Sequence, residues 1–338
     1  MGNSSIKEFS KLHEAFKQHF LIGAAVNPMT LNKQDELLKH HFNSLTAENE
    51  MKFESVHPVE NEYTFDKADQ LISFAKENGI GVRGHTLVWH NQTPKWMFEN
   101  QDGSTVDRDT LLTRMKSHIE TVVKRYKGSI YAWDVVNEAI SDKGEEFLRP
   151  SKWLDIAGED FIAKAFEYAH AADPDALLFY NDYNESVPEK REKIYRLVKS
   201  LKEKEVPIHG VGLQAHWNLE NPSLDLIRQA IERYASLDMK LHITELDISV
   251  FQHDDRRTDL KEPTEEMMAQ QAERYRQIFS LFKEYSDVIT SVTFWGAADD
   301  YTWLNNFPVR GRKNWPFVFD EKHQPKQSYW ELLNVAKS

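Results

Sequence analysis

The chain has 338 residues, 40% of them hydrophobic and 28% charged, which excludes a disordered chain and allows one large buried core. A formal net charge of -12 argues against nucleic acid as a partner and fits a neutral or cationic small ligand or a plain solubilising surface. With no cysteine, disulfides and thiolate metal sites are excluded, and no apolar run reaches the length of a membrane span.

The opening stretch MGNSSIKEFSKLHEAFKQHF carries charges every few residues and no continuous apolar core. It does not read as a signal peptide, so a cytoplasmic location is expected. Short apolar runs then alternate with longer amphipathic ones. Leu21–Val26 is a strand, Asp35–Phe42 a helix, Asn43–Glu48 a strand, and Asp66–Asn78 a helix with Asp66 as N-cap and Gly79 as its stop. Gly81–Trp89 is a third strand. A long helix follows from Asp109, its expected cap, to Tyr126, ended by Gly128. Ile130–Val136 is a strand and Asp160–Ala172 a helix. Ala176–Tyr180 and the charged helix Pro188–Lys204 come next, with proline suited to the first turn. Val211–Ala215, the helix Ser223–Ser236, the strand Lys240–Thr244 and the helix Pro263–Tyr285 with a Thr264 cap continue the alternation. Val288–Trp295 and a final helix, Gln327–Ala336, close the chain.

About eight strand–helix units are what a (β/α)8 barrel requires, and right-handed crossovers through helices imply a parallel sheet. A doubly wound open sheet is the competing architecture. It lacks its usual ligand signatures here, since no strand–GxGxxG–helix or P-loop element is present.

In a barrel the active site lies at the C-terminal strand ends. Polar and aromatic residues gather there: Glu48, Asn49 and Lys52 after the second strand; His85, Trp89 and His90 on the third; Asn137 and Glu138 on the fourth. Asn181, Asp182 and Tyr183 follow the fifth, Gln214, His216 and Trp217 the sixth, Glu245 and Asp247 the seventh, and Trp295 and Trp303 the eighth. Each alone has a plain structural explanation: a cap, an ion pair, a satisfied core histidine or a core indole. Their coincidence at one end of nearly every strand does not, because caps and ion pairs would scatter.

The runs YAWDVVNEA and LHITELDI each deliver one glutamate, Glu138 and Glu245, at a strand end. Two carboxylates brought together from separate strands are the minimum equipment for cleaving a glycosidic bond. Amides, His and Lys offer hydrogen bonds to hydroxyls, and indoles offer flat faces to a sugar's C–H surface. Carbohydrate fits this set better than nucleotide.

The segments TAENEMK at 46–52, RGHTLVWHNQTP at 83–94, WDVVNEA at 133–139, GLQAHW at 212–217, ITELDI at 243–248 and TFWGAADDYTW at 293–303 resemble glycoside hydrolase family 10, the endo-1,4-β-xylanases. The resemblance runs from about Gly23 to the final helix. It implies one catalytic domain over 1–338 with the barrel at about 20–336, no cofactor, no metal, and xylan or xylo-oligosaccharides as substrate. It also implies a retaining mechanism with Glu138 as acid/base and Glu245 as nucleophile. Retention in turn predicts carboxyl groups about 5–5.5 Å apart.

By the same resemblance Asn137 binds the sugar 2-hydroxyl, Gln214 and His216 partner the nucleophile, and Asp247 orients His216. Glu48, Asn49, Lys52, His85 and Trp89 bind on the glycone side, with Trp295 and Trp303 as aromatic walls. Tyr183 stacks on the leaving-group side. Trp303 is placed to exclude the exocyclic CH2OH of glucose. Most polymer-degrading relatives are exported, whereas no signal peptide, cellulose- or xylan-binding module or linker is read here, so an intracellular role on short xylo-oligosaccharides is the expectation. Rival readings are a related barrel β-1,4-glucanase or cellobiosidase, a metal-dependent sugar isomerase using the His, Asp and Glu side chains, and a barrel that binds without catalysis.

Overall fold

A computed structural model describes residues 5–338. Its strands are β1 (Leu21–Val26), β2 (Ser44–Ala47), β3 (Gly81–Trp89), β4 (Ile130–Asn137), β5 (Leu177–Asp182), β6 (Gly210–Leu213), β7 (His216–Asn218), β8 (Lys240–Ser249) and β9 (Ile289–Phe294). All pairings between them are parallel. The order β6-β5-β4-β3-β2-β1-β9-β8 closes through a β6–β8 pairing, and β7 pairs only with β8. The eight ring strands are wrapped by helices as a (β/α)8 barrel, one domain built on one main apolar cluster.

The strands are covered on both faces, which is why they read as near-continuous apolar runs. In β4 only Tyr131 escapes full burial. Trp133 of β4 lies against Gly84 of β3, where an added Cβ would sit 2.1 Å from the indole, so that position has room for glycine alone. A buried side chain of this size contributes on the order of 2–3 kcal/mol. Inside the ring the packing is polar. Arg83 is fully buried and gives both terminal nitrogens to Asp134, at 3.1 and 2.7 Å.

Element ends differ from the sequence expectation in instructive ways. The long helix spans Arg108–Arg125 and is capped by Asp107, not Asp109; Asp107 Oδ1 accepts from the Thr110 amide at 2.8 Å. Capping requires an extended backbone, which Asp107 has, while Asp109 sits inside the first turn and favours the helix dipole instead. Asp66 likewise starts its helix behind Phe65 and makes no cap bond. Gly79 follows that helix at φ 65, the left-handed stop that glycine permits. Thr264 does cap its helix, accepting from the Met267 amide at 3.1 Å.

The strand expected to stop at Thr244 continues to Ser249 and so carries Glu245 and Asp247 within it. The strand expected over Val211–Ala215 ends at Leu213, because Ala215 turns to φ 61 before His216 restarts pairing opposite Asp247. Among the described residues no helix is long and apolar enough to cross a membrane.

Candidate active site

Glu138 leaves β4 at φ 57, a left-handed conformation uncommon for a side-chain-bearing residue. The turn is held from several sides. The Glu138 amide donates to Asn181 O at 2.9 Å, and Arg149 Nε donates to Glu138 O at 2.8 Å. The carboxylate itself accepts at Oε2 from Asn137 Nδ2 at 2.8 Å and from Gln214 Nε2 at 3.3 Å. Burial pushes this carboxyl up, the Asp182 and Glu245 charges add to it, and the result is about 7.

Glu245 sits in β8 with its amide on Gln214 O at 3.0 Å. Its Oε1 meets His216 Nε2 at 3.0 Å and its Oε2 accepts from Asn181 Nδ2 at 3.0 Å. His216 Nδ1 meets Asp247 Oδ1 at 3.0 Å, and Trp303 Nε1 donates to Asp247 Oδ2 at 2.9 Å. With a carboxylate on each ring nitrogen, His216 is an imidazolium. Burial opposes that charge, but Asp247 and Glu245 outweigh it and hold its pKa well above the usual histidine range. For Glu245, burial pushes upward. The His216 hydrogen bond and the charges of His85, His216 and Lys52 overcome it, leaving the carboxyl below the ordinary glutamate range.

The two carboxylates belong to one network. Asn181 Nδ2 also donates to Asn137 Oδ1 at 2.9 Å, and Gln214 Nε2 reaches the same oxygen at 3.2 Å. Glu138, Asn137, Asn181 and Glu245 are therefore joined bond by bond across β4, β5 and β8. The side chain of Gln214 turns to Glu138 and Asn137, so its expected partnership with Glu245 is made by its backbone carbonyl alone.

On the neighbouring strand ends, Lys52 Nζ donates to Asn49 Oδ1 at 2.9 Å and lies 4.7 Å from the Trp89 ring centre. Glu48 accepts from Tyr301 OH at 3.2 Å and from Asn27 Nδ2 at 3.4 Å. Burial raises the Glu48 carboxyl and lowers the Lys52 ammonium, although each sits in the other's field. His85 Nδ1 is 2.8 Å from Asp134 Oδ2, and its ring meets Trp295 edge-on at 5.4 Å. Trp303 stacks on Phe307 at 4.7 Å. Tyr183 stands apart from the carboxylate network: its hydroxyl bonds Asp142 and accepts from Arg149 Nη2 at 2.8 Å, and Lys190 Nζ covers its ring at 4.2 Å.

The profile described as glycosyl hydrolase family 10 matches residues 11–335. The chain belongs to glycosyl hydrolase family 10. It is 64% identical over 324 residues to an endo-1,4-beta-xylanase of Geobacillus stearothermophilus, covering 96% of this chain and 98% of the relative. It is 62% identical over 326 residues to endo-1,4-beta-xylanase B of Paenibacillus barcinonensis, with 96% and 98% covered. The crystal structure of xylanase XynB from Paenibacillus barcinonensis, complexed with a conduramine derivative, matches with a TM-score of 0.95, again over 96% of this chain and 98% of that one.

Several side chains of this family 10 barrel shape the site without having stood out as functional in the sequence. Asn181 bridges the two carboxylate halves, and Thr244 Oγ1 fixes its amide by donating to Oδ1 at 2.7 Å. Asp134 anchors His85 from inside the ring. Arg83 Nε donates to His242 Nδ1 at 2.9 Å, which leaves His242 Nε2–H to donate to Thr290 Oγ1 at 3.0 Å and makes this histidine neutral. Asn181 was visible as one more polar strand end. Nothing local marks the Arg83–Asp134 pair.

Proposed function

We propose that the protein is a retaining endo-1,4-β-xylanase, with Glu138 as acid/base and Glu245 as nucleophile, acting on internal bonds of xylan and xylo-oligosaccharides. One observation carries this: two buried glutamates in a single hydrogen-bonded network are driven to opposite protonation states. Glu245 is ionised and able to attack an anomeric carbon. Glu138 holds a proton for the leaving oxygen, then takes one from water when the glycosyl-enzyme is released. Retention requires the two carboxyl groups about 5–5.5 Å apart. Asn137, hydrogen-bonded to Glu138 and Asn181, is placed to meet the 2-hydroxyl of the sugar being cleaved.

Glu48, Asn49, Lys52, His85 and Trp89 bind the glycone, with Trp295 and Trp303 as walls. Trp303, anchored to Asp247, opposes the CH2OH of a glucoside. Tyr183 lines the leaving-group side. Among the described residues no group of three or more His, Asp and Glu side chains is placed to hold a metal, which weighs against the isomerase alternative. A cytoplasmic role on short oligosaccharides is the finer form of the proposal. It fails if rates on insoluble xylan equal those on xylotriose or xylotetraose.

The deciding experiment is Glu245→Ala on an activated aryl xylobioside with and without azide. The expected outcome is a loss of roughly 10⁴- to 10⁶-fold without azide, and an α-glycosyl azide with it. Retained activity, or a β-configured azide, refutes the assignment.

A further inference from the structure

The turn that aims Glu138 is tied to a buried polar unit outside the carboxylate network. Tyr180 is fully buried on β5, and its hydroxyl has all its capacity in use. It accepts from the Ala139 amide at 3.0 Å and the Ile140 amide at 3.1 Å, and donates to Asp182 Oδ2 at 2.5 Å. Those two amides directly follow Glu138, the residue held at φ 57. Ile140 is itself fully buried, so without Tyr180 its amide has no solvent to turn to.

Asp182 is fully buried as well and meets donors only: Tyr180 OH, the Tyr183 amide at 2.8 Å and Lys190 Nζ at 3.1 Å. Burial pushes the Asp182 carboxyl up, and the Lys190 charge and the hydrogen bonds from Tyr180 and the Tyr183 amide work against that rise, each favouring the charged form. Its counter-ion is shared, since Lys190 also pairs with Asp142 at 2.8 Å. Asp142 in turn contacts Arg149, Tyr183 and Asn184. The charged groups facing Glu138 are Asp182 from β5, Glu245 from β8, Arg149 from the segment after β4, and Lys52 from the segment after β2.

We infer that Tyr180, Asp182 and Lys190 form a positioning unit for the acid/base, in which the tyrosine fixes the turn that aims Glu138 and the aspartate–lysine pair holds the tyrosine hydroxyl and supplies a buried charge behind that turn. This rests on Glu138 being the acid/base. None of the three hydrogen-bonds to the Glu138 carboxylate, whose partners are Asn137 and Gln214; Asp182 acts on it through space, as a like charge that disfavours its ionisation. Lys190 offsets part of that charge.

The test compares kcat/KM–pH profiles of Tyr180→Phe, Asp182→Asn and Lys190→Met on phenyl and 2,4-dinitrophenyl β-xylobioside. A poor leaving group needs the acid and a good one does not, so a misaimed Glu138 costs the phenyl substrate selectively. Tyr180→Phe is expected to lose about 10- to 100-fold on the phenyl substrate, within the range general acid catalysis supplies, with little change on the dinitrophenyl one. Asp182→Asn moves the alkaline limb to lower pH, and Lys190→Met moves it to higher pH.

Equal losses on both leaving groups, or alkaline limbs that stay put or shift in the same direction, overturn the proposal. If Tyr180→Phe does not fold by thermal melting, the opposed limbs of the other two variants decide. Glu138→Ala is run alongside. If it shows no leaving-group selectivity and no β-glycosyl azide with azide, the acid/base assignment itself has failed, and that outcome is separate from the first.

Discussion

The ends of β4 and β8 carry the same side chain in opposite company. Burial acts on Glu138 and Glu245 in one direction, upward, and so cannot tell them apart. The neighbours do. Glu138 faces Asp182 and Glu245, whose charges add to burial. Glu245 faces His216, His85 and Lys52, whose charges override it. Division of labour between the carboxylates is thus written in the second layer of residues. In the retaining mechanism proposed above, the productive form has Glu138 protonated and Glu245 ionised. The kcat/KM profile is expected to be a bell whose alkaline limb lies near pH 7, where Glu138 loses its proton, and whose acid limb lies below the ordinary glutamate range. A single limb, or an alkaline limb near an unperturbed glutamate, would erase the contrast.

The largest effect is expected where the contrast is anchored. Arg83 and Asp134 are both buried inside the barrel, and Asp134 holds His85, one of the groups that lower the Glu245 carboxyl. Arg83→Ala leaves Asp134 buried with its main counter-ion gone, at a cost of about 3–5 kcal/mol in unfolding free energy by denaturant titration. A loss below about 1 kcal/mol would mean that Arg83 is not the main partner that keeps Asp134 satisfied in the barrel interior. The same burial argument makes replacement of the whole pair by apolar residues far less costly than removal of one partner.

A smaller change addresses Glu245 alone. Asp247→Asn keeps an acceptor for His216 Nδ1 but removes the charge that holds the ring protonated. His216 then loses its proton at neutral pH, Glu245 loses its nearest cation, and its pKa rises. The acid limb moves to higher pH, and kcat/KM falls about 10- to 100-fold, typical of removing the residue that orients a working side chain. The alkaline limb is expected to stay in place, because Asp247 bonds on the Glu245 side, to His216 and Trp303, and the main charges raising Glu138 are Asp182 and Glu245. Movement of both limbs would show that the two carboxylates titrate as one coupled pair.

Much of this was legible in the sequence, for reasons that can be named. Strand–helix alternation and polar strand ends are local signals, and they led to Glu138, Glu245, His216 and Asp247. Residues whose role depends on distant partners stayed dark. Arg83 and Asp134 read as a charge each in two separate strands, and only ring closure makes them a pair. Tyr180 reads as a core aromatic of β5, since the amides it receives lie 41 and 40 positions away. The Asp107 cap was missed because two aspartates flank one helix start and the deciding quantity is backbone conformation. β7 was missed because its start depends on the left-handed turn at Ala215, which alanine does not announce.

The smallest change separates two duties of one indole. Trp303 donates to Asp247 Oδ2 and also presents a half-buried ring toward the site, stacked on Phe307. Trp303→Phe keeps an aromatic wall and removes the donor. Asp247 retains His216, and water can reach the partly exposed edge, so the cost is about 1 kcal/mol, the low end for a bond to a charged acceptor. His216 keeps both of its carboxylate partners and stays protonated, and the acid limb does not move. With Trp303 as the proposed wall, the shorter ring is expected to lower the preference for aryl xylobioside over aryl cellobioside by a few-fold, on the order of the 1 kcal/mol that a pocket gains by steric exclusion. An acid limb displaced as far as in Asp247→Asn would instead make the indole N–H part of the device that keeps Glu245 ionised, and the contrast between the strand ends would then extend out to Trp303.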